Sequence, residues 1–186
     1  NLEVIKTLLD QNKIDYLLTR EPGGGPLGPQ LRKLLLDKDR SISPSVEMLL
    51  MMADRKDHVD NLIKPSLDKG IWVISDRYLD STIAYQGGGR QLDIKFIDSL
   101  SAQLRLPTPD LTLLFDLPVD VALQRAEMRS ELDRFEREPK DFHSRIRNSY
   151  LELASNNHRI KTVDSSEDIK SVAIQVEKYL TKFLDA

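Results

Sequence analysis

Short apolar runs that end on charged residues restrict the fold of this chain more than any other feature. Ile71–Ser75 and Leu111–Phe115 are nearly continuous hydrophobic stretches, and they are followed by Asp76-Arg77 and by Asp116. Runs of this length without polar alternation are typical of strands that are buried on both faces. Segments with helical spacing of apolar residues separate the runs, which predicts a parallel sheet covered by helices on both faces.

The same patterns predict elements along the whole chain. We expect helices at 1–11, 27–36, 43–67, 93–104, 118–129, 142–154 and 169–184, and strands at 14–19, 71–75, 111–115 and 160–163. Ligands of such folds bind beyond the carboxyl ends of the strands. The polar groups at these ends are Arg20-Glu21, Asp76-Arg77 and Asp116. We therefore predict an α/β fold that forms one domain over residues 1–186, with its chemistry at this edge.

The first residues pose a separate question, because the chain opens inside an amphipathic helix. A doubly wound fold normally begins with a strand, and a missing central strand would leave ladder groups unpaired. We therefore expect a sheet of about five strands, one of which precedes Asn1 together with a loop.

Composition excludes several classes of protein. The 186 residues contain no cysteine, which rules out disulfides and thiolate metal sites and favours a reducing cytoplasm. A net charge of −3 argues against a general nucleic-acid binder. The chain also lacks a run of about 18 apolar residues, so no membrane span is expected.

Five motifs stand in order along nearly the whole chain. They are Thr19-Arg20-Glu21-Pro22-Gly23-Gly24, Asp76-Arg77-Tyr78, Tyr85-Gln86-Gly87, Pro109-Asp110-Leu111-Thr112 and Glu131-Leu132-Asp133-Arg134-Phe135-Glu136. Together they resemble the motifs of bacterial thymidylate kinases. The resemblance implies a P-loop-type nucleotide kinase that transfers a phosphoryl group from ATP to dTMP. It also implies Mg²⁺ arriving with ATP and a homodimer formed through the long helix that begins at Ser43.

One family motif is absent from these residues. The chain has no Gly-Lys dipeptide, so the ATP-binding pattern G-x-x-x-x-G-K-[ST] does not occur in it. In the family this loop precedes the helix that residues 1–10 resemble. The absence agrees with the strand and loop expected before Asn1.

Arginine at a strand end suits phosphoryl transfer, since its planar cation holds phosphate oxygens through two parallel hydrogen bonds. Arg77 is our first candidate for the residue that binds the acceptor phosphate. Asp76 beside it is expected to position Mg²⁺ through water or to orient an arginine. The alternative for this pair is an ordinary salt bridge at the end of a strand.

The resemblance assigns further residues to the acceptor site. Arg55 corresponds to a second phosphate-binding arginine, although a surface position on its helix is the alternative. Met51, one turn earlier, replaces the phenylalanine that stacks on thymine in the family, and methionine covers a base face without ring stacking. The remaining expectations are that Thr82 faces the pyrimidine edge, that Tyr85 and the adjoining Gln86 line the deoxyribose side, and that Glu21-Pro22 form the wall of the site. For Tyr85 a packing role in the core is the alternative.

The charged residues 125–141 resemble the lid that closes over ATP, and they are called the lid segment below. Arg125 and Arg129 are four residues apart and share a helix face. By resemblance, Arg129 contacts the transferred phosphoryl group, with Arg125 and Arg134 assisting. The alternative is a solvated charged helix. The glycine runs at 23–25 and 87–89 are expected to be backbone turns rather than phosphate cradles.

Two other functions remain open at this stage. Met51 leaves room for another deoxynucleotide or deoxynucleoside kinase of the same fold. A nucleotide-binding relative without a P-loop, and without catalysis, is the alternative that is not an enzyme.

Overall fold

The computed structural model describes residues 2–129 and 132–185. The strands are β1 (Tyr16–Arg20), β2 (Trp72–Asp76), β3 (Thr112–Asp116) and β4 (Ile160–Asp164). The helices are α1 (Leu2–Gln11), α2 (Gly28–Leu36), α3 (Pro44–His58), α4 (Lys64–Leu67), α5 (Leu79–Thr82), α6 (Ile94–Gln103), α7 (Val119–Arg129), α8 (Lys140–Asn156) and α9 (Ile169–Leu184). Two segments are π-helical, π1 (Val59–Ile63) and π2 (Ile83–Gly89).

All strand pairing in the described residues is parallel, as the sequence predicts. β1 pairs with β2, and β3 pairs with β4. No described strand hydrogen-bonds to both pairs, so the strands form two separate two-stranded sheets within residues 2–129 and 132–185. The described strands therefore pair two by two and do not form one continuous sheet of about five strands, and each strand keeps one edge without a hydrogen-bonded neighbour strand in the described part.

Three clusters of buried apolar side chains hold the elements together. The first joins α3, π2 and α6, the second joins π2 to α8 and to the lid segment, and the third joins β4 to α9. In α9 the buried residues are Val172, Val176 and Leu180, which are spaced four apart and lie on one helix face. Asp168 caps this helix by accepting hydrogen bonds from the backbone N–H groups of Lys170 and Ser171.

The long helix predicted at 43–67 is interrupted by the π-helical turn π1. Proline has no N–H group, so Pro65 cannot donate to the carbonyl four residues earlier, and the ladder widens in the turn before it. α4 follows, and Gly70 with φ of 76° closes the segment.

A helical segment at residues 79–89 was not predicted from the sequence. The expectation of a turn at Gly87–Gly89 is wrong, since these residues end π2 and pack against α8. A Cβ atom on Gly88 would lie 2.6 Å from Cβ of Ser149, and one on Gly89 would lie 2.7 Å from the ring of Phe142. Glycine is needed here because the two helices approach so closely.

None of the described helices combines the length and the apolar character that crossing a membrane requires.

Candidate acceptor and phosphate site

The parallel register of β1 and β2 brings charged residues together at their carboxyl ends. Arg20 is the register partner of Asp76. The backbone N–H of Glu21 donates to the carbonyl of Asp76 at 2.9 Å, so the pairing extends one residue beyond the ladder. Arg77 is the residue that directly follows Asp76, the last residue of β2. Four of the five residues predicted at this edge therefore meet there. Asp116 does not join them in this pair of strands, because it ends β3 in the other sheet and accepts hydrogen bonds from Arg147.

Arg77 has an unusual backbone conformation. Its φ angle is 70°, in the left-handed region that non-glycine residues rarely occupy. Its exposed side chain has no ion pair within the described part of the chain, and its guanidinium lies 5.0 Å from the ring centroid of Tyr85. Such conformations cluster at functional sites. Arg77 is thus held by its backbone and by Tyr85, which raises the pKa of the guanidinium through its charge and through a side-chain hydrogen bond.

Sequence reasoning missed Arg32, which lies on α2. Its Nη1 atom donates to the carbonyl of Pro22 at 2.8 Å. Burial lowers the pKa of Arg32, and the positive charges of Arg20 and Arg77 lower it further, which shows that three arginines share one region. Gly28 packs against Gly23, and Arg32 lies one turn later on the same face of α2.

Arg55 is buried in the site, with only 2% of its surface exposed. Its Nε donates to Oε2 of Glu21 at 2.7 Å, and its Nη1 donates to Oγ1 of Thr82 at 2.8 Å. The surface-helix alternative is therefore wrong. The guanidinium also lies 5.2 Å from the ring centroid of Tyr78.

The second oxygen of Glu21 is also engaged. Oε1 lies 2.8 Å from Nδ1 of the fully buried His58, whose Nε2 lies 2.8 Å from Oγ1 of Thr19. A carboxylate only accepts hydrogen bonds, so Nδ1 is the donor to Glu21. A Cβ atom on Gly24 would lie 2.4 Å from Nε2 of His58, so only glycine leaves space for this ring. We call Glu21, Arg55, His58, Arg77 and Thr82 the acceptor edge.

Asp54 fixes the glycine loop beside this edge. Both of its carboxylate oxygens accept from the backbone N–H of Gly23, at 3.0 and 3.1 Å. Burial raises the pKa of Asp54 to about 6, and the bond from Gly23 opposes that shift only in part.

The structure places the other acceptor candidates as follows. Met51 and Tyr85 both pack against the buried cluster that includes Ala84 and Phe135. Tyr85 thus combines the core packing of the alternative reading with its contact to Arg77. The side-chain amide of Gln86 is buried and donates to Glu47 at 2.8 Å. Pro22 is buried and follows a cis peptide bond.

The arginines of the lid segment have different surroundings. Arg125 is exposed and donates to the carbonyl of Ser165 at 3.1 Å. Arg134 is largely buried and donates to the carbonyl of Leu35 at 2.8 Å and to Glu47 at 2.7 Å. The side chain of Arg129, as well as residues 130 and 131, lies outside the part that is described.

The described residues contain no group of three His, Asp or Glu side chains that would enclose a metal ion. Asp76 is an exposed single carboxylate at the end of β2. One carboxylate suits Mg²⁺ held mostly by phosphate oxygens and water, because this ion keeps several of its waters.

The site places three arginines where they could bind a phosphate dianion. Arg20, Arg32 and Arg77 lie where the strands end, and the carboxylates of Asp76 and Asp133 offset only part of their positive charge. Beside them, the buried charges of Glu21 and Arg55 neutralise each other. Such an arrangement is suited to binding a phosphate group and less to proton abstraction.

Comparisons with known proteins point to one family. Residues 1–176 match the family model described as thymidylate kinase. A thymidylate kinase of Carboxydothermus hydrogenoformans is 43% identical over 180 residues, which cover 96% of this chain and 88% of that protein. One of Ruthia magnifica is 45% identical over 179 residues, covering 95% and 87% of the two chains. The crystal structure of a thymidylate kinase from Ehrlichia chaffeensis superposes with a TM-score of 0.73 at 33% identity, covering 96% of this chain and 86% of that one.

This chain belongs to the thymidylate kinase family, because the family model matches almost the whole chain and relatives are more than 40% identical to it.

Proposed function

We propose that the protein transfers the γ-phosphoryl group of ATP to the 5′-phosphate of dTMP, giving dTDP and ADP. The family supports a nucleotide kinase, and the acceptor edge supports a substrate that already carries a phosphate. The observation that carries the proposal is the position of Arg77 at the end of β2, beside Arg20 and Arg32, where Arg77 contacts Tyr85 and has no salt bridge among the described residues. A nucleoside kinase would instead need a general base for a 5′-hydroxyl, and the carboxylate of Glu21 is already occupied by Arg55 and His58.

In this mechanism Arg77 and Arg32 hold the acceptor phosphate through charge-assisted hydrogen bonds. Arg55 is held at the base side by Glu21 and Thr82. Because Thr82 accepts from Arg55, its own hydroxyl hydrogen is left to donate to the pyrimidine. Tyr85 is proposed to pack against the deoxyribose, and its ring supports the guanidinium of Arg77. Met51 is proposed to cover the base.

Magnesium, when bound with ATP, neutralises the charge that develops on the transferred phosphoryl group. Asp76 would hold it through water. Arg129, assisted by Arg125, is proposed to reach the donor phosphates when the lid segment closes, which also excludes water from the transfer. Arg134 is proposed to assist from its position against Glu47, where its Nη2 atom is buried and has no partner among the described residues.

We further propose a homodimer in the cytoplasm. The support is that α3 and α6 both expose large apolar side chains: Leu49 and Phe96 are both 52% exposed, and Val46 and Ile94 exceed 40%. Large exposed apolar side chains that cluster on a surface are typical of protein interfaces. Sedimentation equilibrium of the protein and of a Leu49→Lys variant tests this: the wild type should be dimeric and the variant shifted toward monomer.

The test of the reaction is ADP release from Mg·ATP with dTMP, dUMP, dCMP, dAMP or no acceptor. Clear stimulation by dTMP alone, with dTDP as the product, is the expected result. Stimulation only by another acceptor would move the assignment to a related deoxynucleotide kinase and point to Met51 as the cause. A folded protein that binds ATP or dTMP but turns over neither would favour a non-catalytic relative.

A further inference from the structure

Glu47 is a buried carboxylate that none of the roles above uses. It lies in the first turn of α3 and is 0% exposed. Its Oε1 accepts from Nε2 of Gln86 at 2.8 Å, and its Oε2 accepts from Nη2 of Arg90 at 3.0 Å and from Nη1 of Arg134 at 2.7 Å. A buried charge is tolerated only when it is paired and hydrogen-bonded in this way.

The partners of Glu47 come from two different segments. Gln86 is part of π2, which also carries Tyr85, and Arg90 follows directly after π2. Arg134 belongs to the lid segment. A second contact joins the same two segments, since Nη1 of Arg90 lies 2.6 Å from Oε1 of Glu138. One carboxylate on α3 therefore fixes the lid segment to the helix that carries the sugar-side residue.

Aromatic rings extend this connection to the acceptor phosphate. The guanidinium of Arg134 lies 4.4 Å from the ring centroid of Phe135. The ring of Phe135 meets that of Tyr85 edge-on, with 5.6 Å between centroids. Tyr85 in turn lies under Arg77, 5.0 Å from its guanidinium. Each step is a direct contact, so the position of Arg134 and the position of Arg77 depend on the same packed group.

We propose that Glu47 is a positioning residue that anchors the carboxyl-terminal part of the lid segment to the acceptor site. This inference rests on the proposed kinase function. Glu47 holds Arg134 and Arg90 at fixed distances, so residues 132–138 keep a defined position relative to Tyr85. Without the carboxylate, the two arginines repel each other and the lid segment loses its register with the acceptor edge.

The test compares Glu47→Gln with the wild type in three assays. The amide keeps the shape of the side chain and removes its charge. We expect kcat for dTDP formation to fall about tenfold, which corresponds to the loss of one positioned contact. The fraction of ATP hydrolysed without transfer should rise, while the Kd for dTMP should stay within about twofold. Glu177→Gln, the same chemical change on the exposed face of α9, should leave all three unchanged.

A double-mutant cycle separates positioning from general support of the fold. Arg134→Gln and Glu47→Gln remove the same contact, so the double variant should be no slower than the worse single variant. Additive losses, or an equal loss of dTMP affinity in Glu47→Gln, would overturn the proposal. Should Glu47→Gln not fold, Arg134→Lys is the second variant, because it retains the positive charge facing Glu47. It should also lower kcat without changing the Kd for dTMP, and the fall in kcat should be smaller than in Glu47→Gln.

Limited trypsin digestion distinguishes a failure of this inference from a failure of the proposed function. Cleavage after Arg134 or Arg137 requires local release of the lid segment, whether or not the protein is a kinase. Faster cleavage in Glu47→Gln than in Glu177→Gln supports the anchor even if the wild type makes no dTDP. Equal cleavage rates would overturn it.

Discussion

The acceptor edge and the amino-terminal half of the lid segment are built in opposite ways. At the acceptor edge, Glu21 and Arg55 are 3% and 2% exposed and every oxygen of Glu21 has a partner. On α7, Met128 is 81% exposed and Arg125 makes a single bond to a backbone carbonyl. In the first region Glu21 and Arg55 are fixed before any ligand arrives, whereas the described side chains at 125, 127 and 128 in the second are exposed.

The difference matches the two roles proposed for these regions, phosphate binding at the acceptor edge and movement in the lid segment. Fixed donors bind a phosphate without paying for rearrangement at the moment of reaction. A lid has to open and close in every cycle, so strong contacts in it would slow turnover. The carboxyl-terminal half of the lid segment is intermediate, because Glu47 ties it to the acceptor side.

The largest effect is expected from Glu21→Gln, which attacks the fixed region. It leaves Arg55 buried without an anionic partner, and such a break costs about 3–5 kcal/mol of unfolding free energy. Urea unfolding followed by fluorescence of Trp72 measures this change. Glu177→Gln provides the control on α9. A loss below about 1 kcal/mol would mean that the network at the acceptor edge is not tightly coupled.

Arg77→Ala should separate function from stability. The side chain is exposed and loses only its contact with Tyr85 among the described residues, so the unfolding free energy should fall by about 1 kcal/mol or less. Loss of a phosphate-binding arginine should lower kcat/KM for dTMP about 100-fold or more. Arg105→Ala is the matched control, because Arg105 is also an exposed arginine with positive φ, at 52°. Equal activities of the two variants would remove Arg77 from the site.

Asp54 should make the fixed region sensitive to pH. Its folded-state pKa of about 6 lies above the ordinary value of 3.8, so the folded protein binds the proton more tightly than the unfolded chain. This contribution to stability is present at low pH and is lost as the pH rises through about 6, which amounts to about 2 kcal/mol between pH 4.5 and 7.

The measurement is urea unfolding of the wild type and of Asp54→Asn at both pH values. Asparagine keeps an acceptor for the N–H of Gly23 and does not titrate. The difference in unfolding free energy between the two proteins should therefore change by about 2 kcal/mol across this interval. An unchanged difference would show that Asp54 titrates normally in the folded state.

The smallest effect on stability is expected in the lid segment. Arg125→Ala removes one bond at an exposed position, so the unfolding free energy should change by less than about 0.5 kcal/mol. If Arg125 assists transfer, kcat should nevertheless fall about tenfold with the KM for dTMP unchanged. A large loss of stability would contradict the contrast between the two regions, and unchanged kcat would remove Arg125 from the proposed mechanism.

Local patterns in the sequence predicted much of the fold. The bounds of α9 match the predicted 169–184, and β3 and β4 lie within a residue of their predicted ends, because these elements have strong periodicity and clear caps. π2 was not predicted, since glycine in sequence reads as a turn and the packing of α8 that requires it is a long-range contact. The separation of the strands into two pairs is likewise a property of pairing, which no single segment encodes.

The candidate site was predicted in part for a related reason. The positions of Arg77 and Asp76 follow from the end of a strand, and the motifs supplied Arg55, Thr82 and Tyr85. That Arg55 is buried against Glu21 depends on how α3 packs on the loop after β1, which spacing along one helix does not reveal. Arg32 belongs to no quoted motif and became visible only through its neighbours.

The glycine contacts between π2 and α8 have a consequence for exchange with solvent. With Gly88 and Gly89 against Ser149 and Phe142, the two helices have no room to slide past each other. Any opening of the segment around Tyr85 must therefore separate it from α8 as a whole. Backbone amides of the two helices should accordingly exchange with deuterium as one cooperative unit, with a single opening free energy that a bound acceptor would raise for both.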